Sequence, residues 1–150
     1  MEIPRQNLRT PGPIPVPADI VEAMSEPMIN HRGPEFFELF TQVTGKLKQV
    51  FMTENDLYVL TASGTGSLEA SIVNTLSPGD RVLGLSAGSF GERFCDAAEA
   101  YGAEVVREEF EWGGAIDPDR VRDLLRSDSK IKAVLVTHKE TSTGVTHDLE

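Results

Sequence analysis

Residues 56–76 read DLYVLTASGTGSLEASIVNTL, from Asp56 to Leu76, and this stretch decides the fold. Asp56–Leu60 is a short apolar run suited to a buried strand. Ala62–Gly66 is small and glycine-rich, and Ser67–Leu76 carries Leu68, Ile72 and Val73 on a helical pattern. Strand, glycine-rich turn and helix in succession open an α/β unit. The turn also has a chemical reading. Glycines let the backbone approach a ligand, while the first turn of a helix offers unpaired N–H groups and a positive dipole end. Ser63, Thr65 and Ser67 add hydroxyls. A phosphate dianion suits such a cradle, and an ordinary tight turn explains the glycines equally well. The segment is not a P-loop, because no Gly-Lys-Ser/Thr follows. Nor is it a dinucleotide fingerprint, because Glu69 stands where a third glycine is required.

Toward the C-terminus the alternation continues. Ser77-Pro78-Gly79-Asp80 is a turn signal. Arg81–Leu85 reads as a strand, Phe90–Tyr101 as a helix closed by Gly102, and Glu104–Arg107 as a strand. Asp117-Pro118 supplies an N-cap residue and a proline at the first helical position, with Val121, Leu124 and Leu125 as the inner face. Lys132–Thr137 contains AVLV, a further buried strand, and His138–Gly144 reads as a polar loop. Strands alternating with helices over residues 56–137 predict a mostly parallel sheet with crossover helices. The chain reads as cut off just after a loop, where another strand is expected.

Toward the N-terminus the pattern is different. Prolines at 4, 11, 13, 15 and 17 exclude helix and central strand, and their spacing points to an extended, stiff arm. Ala18–Met24 reads as a short helix and Pro34–Met52 as a longer one. Phe36, Phe40, Val43, Leu47 and Val50 form its apolar stripe, expected to face a core.

Composition bounds the function. The chain has 150 residues, 39% hydrophobic and 25% charged, a mix that suits one globular domain. Its net charge of −10 argues against nucleic acid or an anionic membrane as partner. No stretch approaches the length of a membrane span, and the proline-rich N-terminus has no signal-peptide core. A single cysteine, Cys95, cannot form an internal disulfide and suits a reducing compartment, so a cytoplasmic location is expected. Cys95 itself reads as a small buried residue on a helix.

Three loops follow strands at one edge of the expected sheet, where open parallel sheets bind ligands. The first is Ser63–Gly66. In the second, Ser86–Arg93, Phe90 sits among small residues and reads either as a ring-stacking aromatic or as a core residue. The third, Thr137–Gly144, is dense in hydroxyls.

Read in order, these segments resemble the class V aminotransferases of the alanine–glyoxylate and serine–glyoxylate type. The motifs that carry the resemblance are Pro11-Gly12-Pro13, His31-Arg32-Gly33-Pro34-Glu35-Phe36, Ser63-Gly64-Thr65-Gly66-Ser67-Leu68-Glu69-Ala70, Asn74-x-Leu76-x-Pro78-Gly79-Asp80, Gly88-x-Phe90-Gly91-Glu92-Arg93 and Thr137-His138-x-Glu140-Thr141-Ser142-Thr143-Gly144. The resemblance covers the chain from about residue 10. It implies an α/β fold, the N-terminal part of the large pyridoxal-phosphate (PLP) domain of a fold type I aminotransferase. Residues 1–30 would be the arm and short helix, and residues 31–150 the incomplete domain. It also implies PLP as cofactor, with Ser63, Gly64 and Thr65 at its phosphate, Phe90 on its ring and Ser142 near its ring oxygen. The family more often has tryptophan at the position of Phe90. Gly12 would neighbour the substrate pocket, while Arg32 either meets an anion or anchors the arm.

The implied reaction moves an amino group from alanine or serine to glyoxylate or a related 2-oxo acid, in a homodimer. Such chemistry needs a Schiff-base lysine, a carboxylate on the pyridine nitrogen and an arginine for the substrate carboxylate. In the family all three lie beyond the position of Glu150, so none of Lys46, Lys48, Lys130, Lys132 or Lys139 is assigned as the lysine, and this chain alone is expected to be inactive. Two alternatives stand beside this reading. One is a non-catalytic phosphate-ligand module. The other is a different class V enzyme, such as a 2-aminoethylphosphonate transaminase or a cysteine desulfurase.

Overall fold

A computed structural model describes residues 7–149. The chain divides into two compact units, residues 1–61 and 62–150. The sequence reading instead divides arm from domain at residue 30.

In the first unit, residues 7–17 form no helix or strand and are exposed; the expected arm's first six residues lie outside the described ones. Helix α1 spans Ala18–Met24, the short helix read from the sequence. Helix α2 spans Pro34–Val50, with Pro34 at its first position, where the missing N–H costs nothing. The Phe36 and Phe40 rings stack with centroids 5.8 Å apart, as residues four apart on one helical face should. The stripe forms, but the expectation that it faces a core is not met, since no residue of α2 is buried. Amphipathic spacing selects the helix without supplying the surface that covers it.

A second correction concerns residues 56–60. They are not a strand, and Tyr58 is 79% exposed. A strand exists only where a neighbour completes its hydrogen bonds, and no described residue pairs with this run.

The second unit carries the parallel sheet. Helix α3 (Gly64–Thr75) begins three residues earlier than its apolar pattern suggested, so the glycine-rich turn is its first turn and Ser63 its N-cap. Strand β1 (Arg81–Ser86) is central; β2 (Glu104–Glu109) and β3 (Ile131–Leu135) flank it, both parallel to it. Helix α4 (Ser89–Ala100) connects β1 to β2, and α5 (Pro118–Ser127) lies between β2 and β3. The Asp117 side chain accepts a hydrogen bond from the Asp119 N–H, the expected cap.

Being central explains β1's composition. Val82 and Leu83 are fully buried and Leu85 nearly so. Each such side chain contributes roughly 2 kcal/mol relative to exposure. Ile72, Val82, Ala98 and Leu135 form the core cluster, with Leu76, Phe94 and Val105 packed against it. Gly84 lets α4 lie close on β1, because a Cβ there would stand 2.4 Å from the Cys95 Sγ. Cys95 is therefore enclosed, and burial pushes its thiol up, an effect that Arg107 opposes. In the native protein iodoacetamide is expected to leave Cys95 unlabelled, with labelling only after unfolding. Rapid native labelling would contradict this packing.

Residues 138–144 hold the third correction. The expected polar loop is built around a small antiparallel hairpin, β4 (Lys139–Glu140) with β5 (Val145–Thr146). Gly144, at φ +83°, makes the turn, and its N–H donates to the Glu140 carbonyl at 2.8 Å.

Candidate functional site

Within the second unit, a cavity of about 320 Å³ opens at the carboxyl ends of β1 and β3. Three groups of residues line it: Ser63, Gly64, Thr65 and Leu68 from the start of α3; Phe90 and Arg93 from the first two turns of α4; Thr137, Lys139 and Thr141 around the hairpin. Ser63, Gly64, Thr65 and Phe90, four of the five residues singled out in the sequence, thus share one cavity. Arg93 and Lys139 bring positive charge into a chain of net charge −10, and among the described residues no acid lines the cavity. The Arg93 guanidinium lies over the Phe90 ring, 5.2 Å from its centroid. A larger concavity of about 570 Å³ in the first unit is lined by Leu47, Phe51, Thr53, Asp56, Leu57, Tyr58 and Val59. It carries an acid and no cation, so it does not suit an anion.

The two helix starts at the cavity differ in one decisive respect. At α3, only the Gly66 N–H finds an acceptor, the Ser63 carbonyl at 2.9 Å. The Gly64 and Thr65 N–H groups, and the Ser63 and Thr65 hydroxyls, have no partner among the described residues. At α4 every opening N–H is taken. Ser89 N–H donates to the Ser142 Oγ at 3.1 Å, Phe90 N–H to the Glu140 carboxylate at 3.2 and 3.3 Å, and Gly91 N–H to Glu140 Oε2 at 2.9 Å. Glu92 N–H then makes the first bond within the turn, to the Gly88 carbonyl at 3.1 Å.

Glu140 is the residue that sequence reasoning missed. It is fully buried, and it also accepts from the Ser142 N–H at 3.2 Å and the Ser142 hydroxyl at 2.5 Å. Burial pushes its pKa up. The hydrogen bonds from the Ser142 hydroxyl and from the Gly91, Phe90 and Ser142 N–H groups outweigh burial and hold it below the ordinary glutamate value. Ser142 faces this carboxylate and α4 rather than lining the cavity. Gly88 makes room for the arrangement, since a Cβ there would stand 2.6 Å from the Glu140 Cγ and 2.7 Å from the Ser142 Oγ. Among the described residues no group of three or more His, Cys, Asp or Glu is placed to hold a metal ion.

Fold and cavity together define an α/β protein with a ligand-sized, positively lined recess at the carboxyl edge of parallel strands, the place where this architecture takes ligands. Residues 18–150 match the family model described as aminotransferase class-V, and the chain belongs to that family. It is 46% identical over 144 residues to the soluble hydrogenase 42 kDa subunit of Anabaena cylindrica, covering 95% of this chain and 38% of that protein. It is 38% identical over 148 residues to the serine–glyoxylate aminotransferase of Methylorubrum extorquens, covering 97% and 37%. Among solved structures, the alanine–glyoxylate aminotransferase of Nostoc sp. superposes with a TM-score of 0.88 at 34% identity, over 100% of this chain and 40% of that one. The chain thus spans about two fifths of the length of the relatives it matches. The fold is that of the corresponding part of the fold type I aminotransferases.

Proposed function

We propose that this chain supplies the phosphate and ring-face side of a PLP site in a transaminase. The observation that carries the reading is the contrast between the two helix starts: α4 is closed by the protein's own carboxylate, while α3 offers free N–H groups and two hydroxyls into a recess without acids. PLP fits that donor set, because it pairs a phosphate dianion with a flat aromatic ring. The Gly64 and Thr65 N–H groups with the Ser63 and Thr65 hydroxyls would hold the phosphate, and Phe90 would meet the ring. Arg93 and Lys139 would add positive charge around the anion. On this reading Ser142, which does not line the cavity, acts through Glu140 and Ser89, and the contact with the ring oxygen that the resemblance implies would need it to turn toward the ring.

When bound, PLP serves as an electron sink for bonds at the amino-acid Cα. Ser63, Gly64, Thr65 and Phe90 would bind and orient it. The lysine that anchors it would come from elsewhere in the whole protein. Lys132 is held by Asp80 at 2.5 Å, and Lys48 donates to the Glu54 carbonyl at 3.3 Å. Lys139 alone of the five lysines lines the cavity, so it is the position to check.

We further propose that the whole protein is a cytoplasmic homodimer that transfers an amino group from alanine or serine to glyoxylate or a related 2-oxo acid. The glyoxylate aminotransferases among its relatives support this choice. Among the described residues, no helix is long and apolar enough to cross a membrane. The test is to incubate the whole protein with PLP, glyoxylate and either donor and to measure glycine. Glycine formation is expected. After borohydride reduction, peptide mapping should find the pyridoxyl group on no lysine within residues 1–150. Glycine-free mixtures with retained PLP would favour the other class V chemistries or a binding module, and a stoichiometric adduct at Lys139 would overturn the division of labour.

A further inference from the structure

Among the described acids of the second unit Glu140 is the buried one. Glu99, Glu108, Asp80 and Asp128 each pair with an arginine or lysine near the surface. Glu140 has no cation among its hydrogen-bond partners, and its donors are the Phe90 and Gly91 N–H groups and the N–H and hydroxyl of Ser142. A carboxylate is well placed against a helix N-terminus, where its charge meets the positive end of the dipole. What is unusual is its origin, about fifty residues away in sequence, on a hairpin that borders the same cavity.

We propose that Glu140 is a positioning residue for the cofactor ring, fixing Phe90 against the hairpin and closing the α4 N-terminus to competing anions; this rests on the PLP reading above. Two consequences follow from the bonds. The Phe90 backbone is held at its own N–H, so the ring starts from a fixed Cα on one wall of the cavity. The same carboxylate satisfies the donors that would make α4 an anion site, leaving α3 as the helix start that can receive the phosphate. Ser142 completes the clamp, donating to Glu140 through its hydroxyl and accepting from the Ser89 N–H.

Helix geometry makes the clamp measurable. Amides of a first helical turn have no acceptor within the helix, so exchange protection at Phe90 and Gly91 reports Glu140 directly. The experiment compares the whole protein with its Glu140→Gln, Gly88→Ala, Phe90→Ala and Glu140→Gln/Phe90→Ala variants. Amide hydrogen exchange is read at residues 89–92, PLP affinity by absorbance titration, and folding by the unfolding midpoint. Gly88→Ala serves as the second route to the same end, because its Cβ displaces the carboxylate without removing a charge.

Glu140→Gln and Gly88→Ala are expected to exchange Phe90 and Gly91 amides about tenfold faster and to bind PLP about tenfold more weakly, the scale of one charged hydrogen bond. The double variant should bind PLP no more weakly than Phe90→Ala alone, because both changes act through the same ring. Unchanged exchange in both variants would overturn the clamp. Faster exchange with unchanged PLP affinity, or full additivity in the double variant, would overturn the positioning role while leaving the PLP reading standing. Absence of PLP binding by the unsubstituted protein would remove the PLP reading and the positioning role together, and the exchange data would then decide the clamp alone.

Discussion

Glu140→Ala is expected to destabilise the protein by about 3 kcal/mol, the scale for removing one partner from a buried, charged hydrogen-bonded set. Its carboxylate is fully buried and receives bonds from Phe90, Gly91 and Ser142. Alanine leaves those donors facing one another without an acceptor. The denaturant midpoint should fall accordingly, with an unchanged slope. Acid has a related effect, with a definite sign. The folded pKa of Glu140 is lowered by these bonds, so its contribution is fully present above the unfolded, ordinary glutamate value. It fades as pH drops through the lower folded value. Stability of the unsubstituted protein should therefore fall in that acid range, and the alanine variant should fall less steeply. A midpoint unmoved by Glu140→Ala would contradict this account of the hairpin.

Gly64→Leu is expected to weaken PLP binding by about tenfold or more, equivalent to about 1.4 kcal/mol. A Cβ at Gly64 meets no atom within 4 Å, and the residue opens a helix, where its backbone conformation is open to other residues. The fold therefore has room for the side chain, and a loss of PLP reports the approach of the ligand rather than unfolding. Gly66 provides the contrast, because a Cβ there stands 2.8 Å from the Ala62 Cβ and a substitution must move the protein itself. Retention of PLP is read from visible absorbance after dialysis. Retention equal to that of the unsubstituted protein would remove Gly64 from the phosphate site.

The elements of the second unit were largely legible in advance because their signals are local. Asp117-Pro118 announces α5 by cap chemistry, Gly102 ends α4 at φ +88°, and the apolar run of β1 matches a strand buried on both faces. Residues 56–60 carry the same apolar signal and form no strand, because pairing depends on a neighbour that a five-residue run does not specify. The recess was legible through residue types that suit phosphate and ring, and Ser63, Gly64, Thr65 and Phe90 do meet there. Glu140 was not legible as a buried group. In sequence it sits in a polar run next to Lys139 and Thr141, which ordinarily marks a solvated loop. Its burial arises from the Phe90 and Gly91 N–H groups, supplied by a helix far away along the chain. The one local hint was the spacing of Glu140 and Ser142, two residues apart, which lets a side chain close on its own loop.

The central claim is that the start of α3, and not that of α4, receives the phosphate of PLP. A structure of the whole protein with PLP bound tests it most directly. The phosphate is expected within hydrogen-bonding distance of the Gly64 and Thr65 N–H groups and the Ser63 and Thr65 hydroxyls, with Glu140 still bound to Phe90 and Gly91. A phosphate seated on the Phe90 and Gly91 N–H groups, with Glu140 displaced, would contradict it.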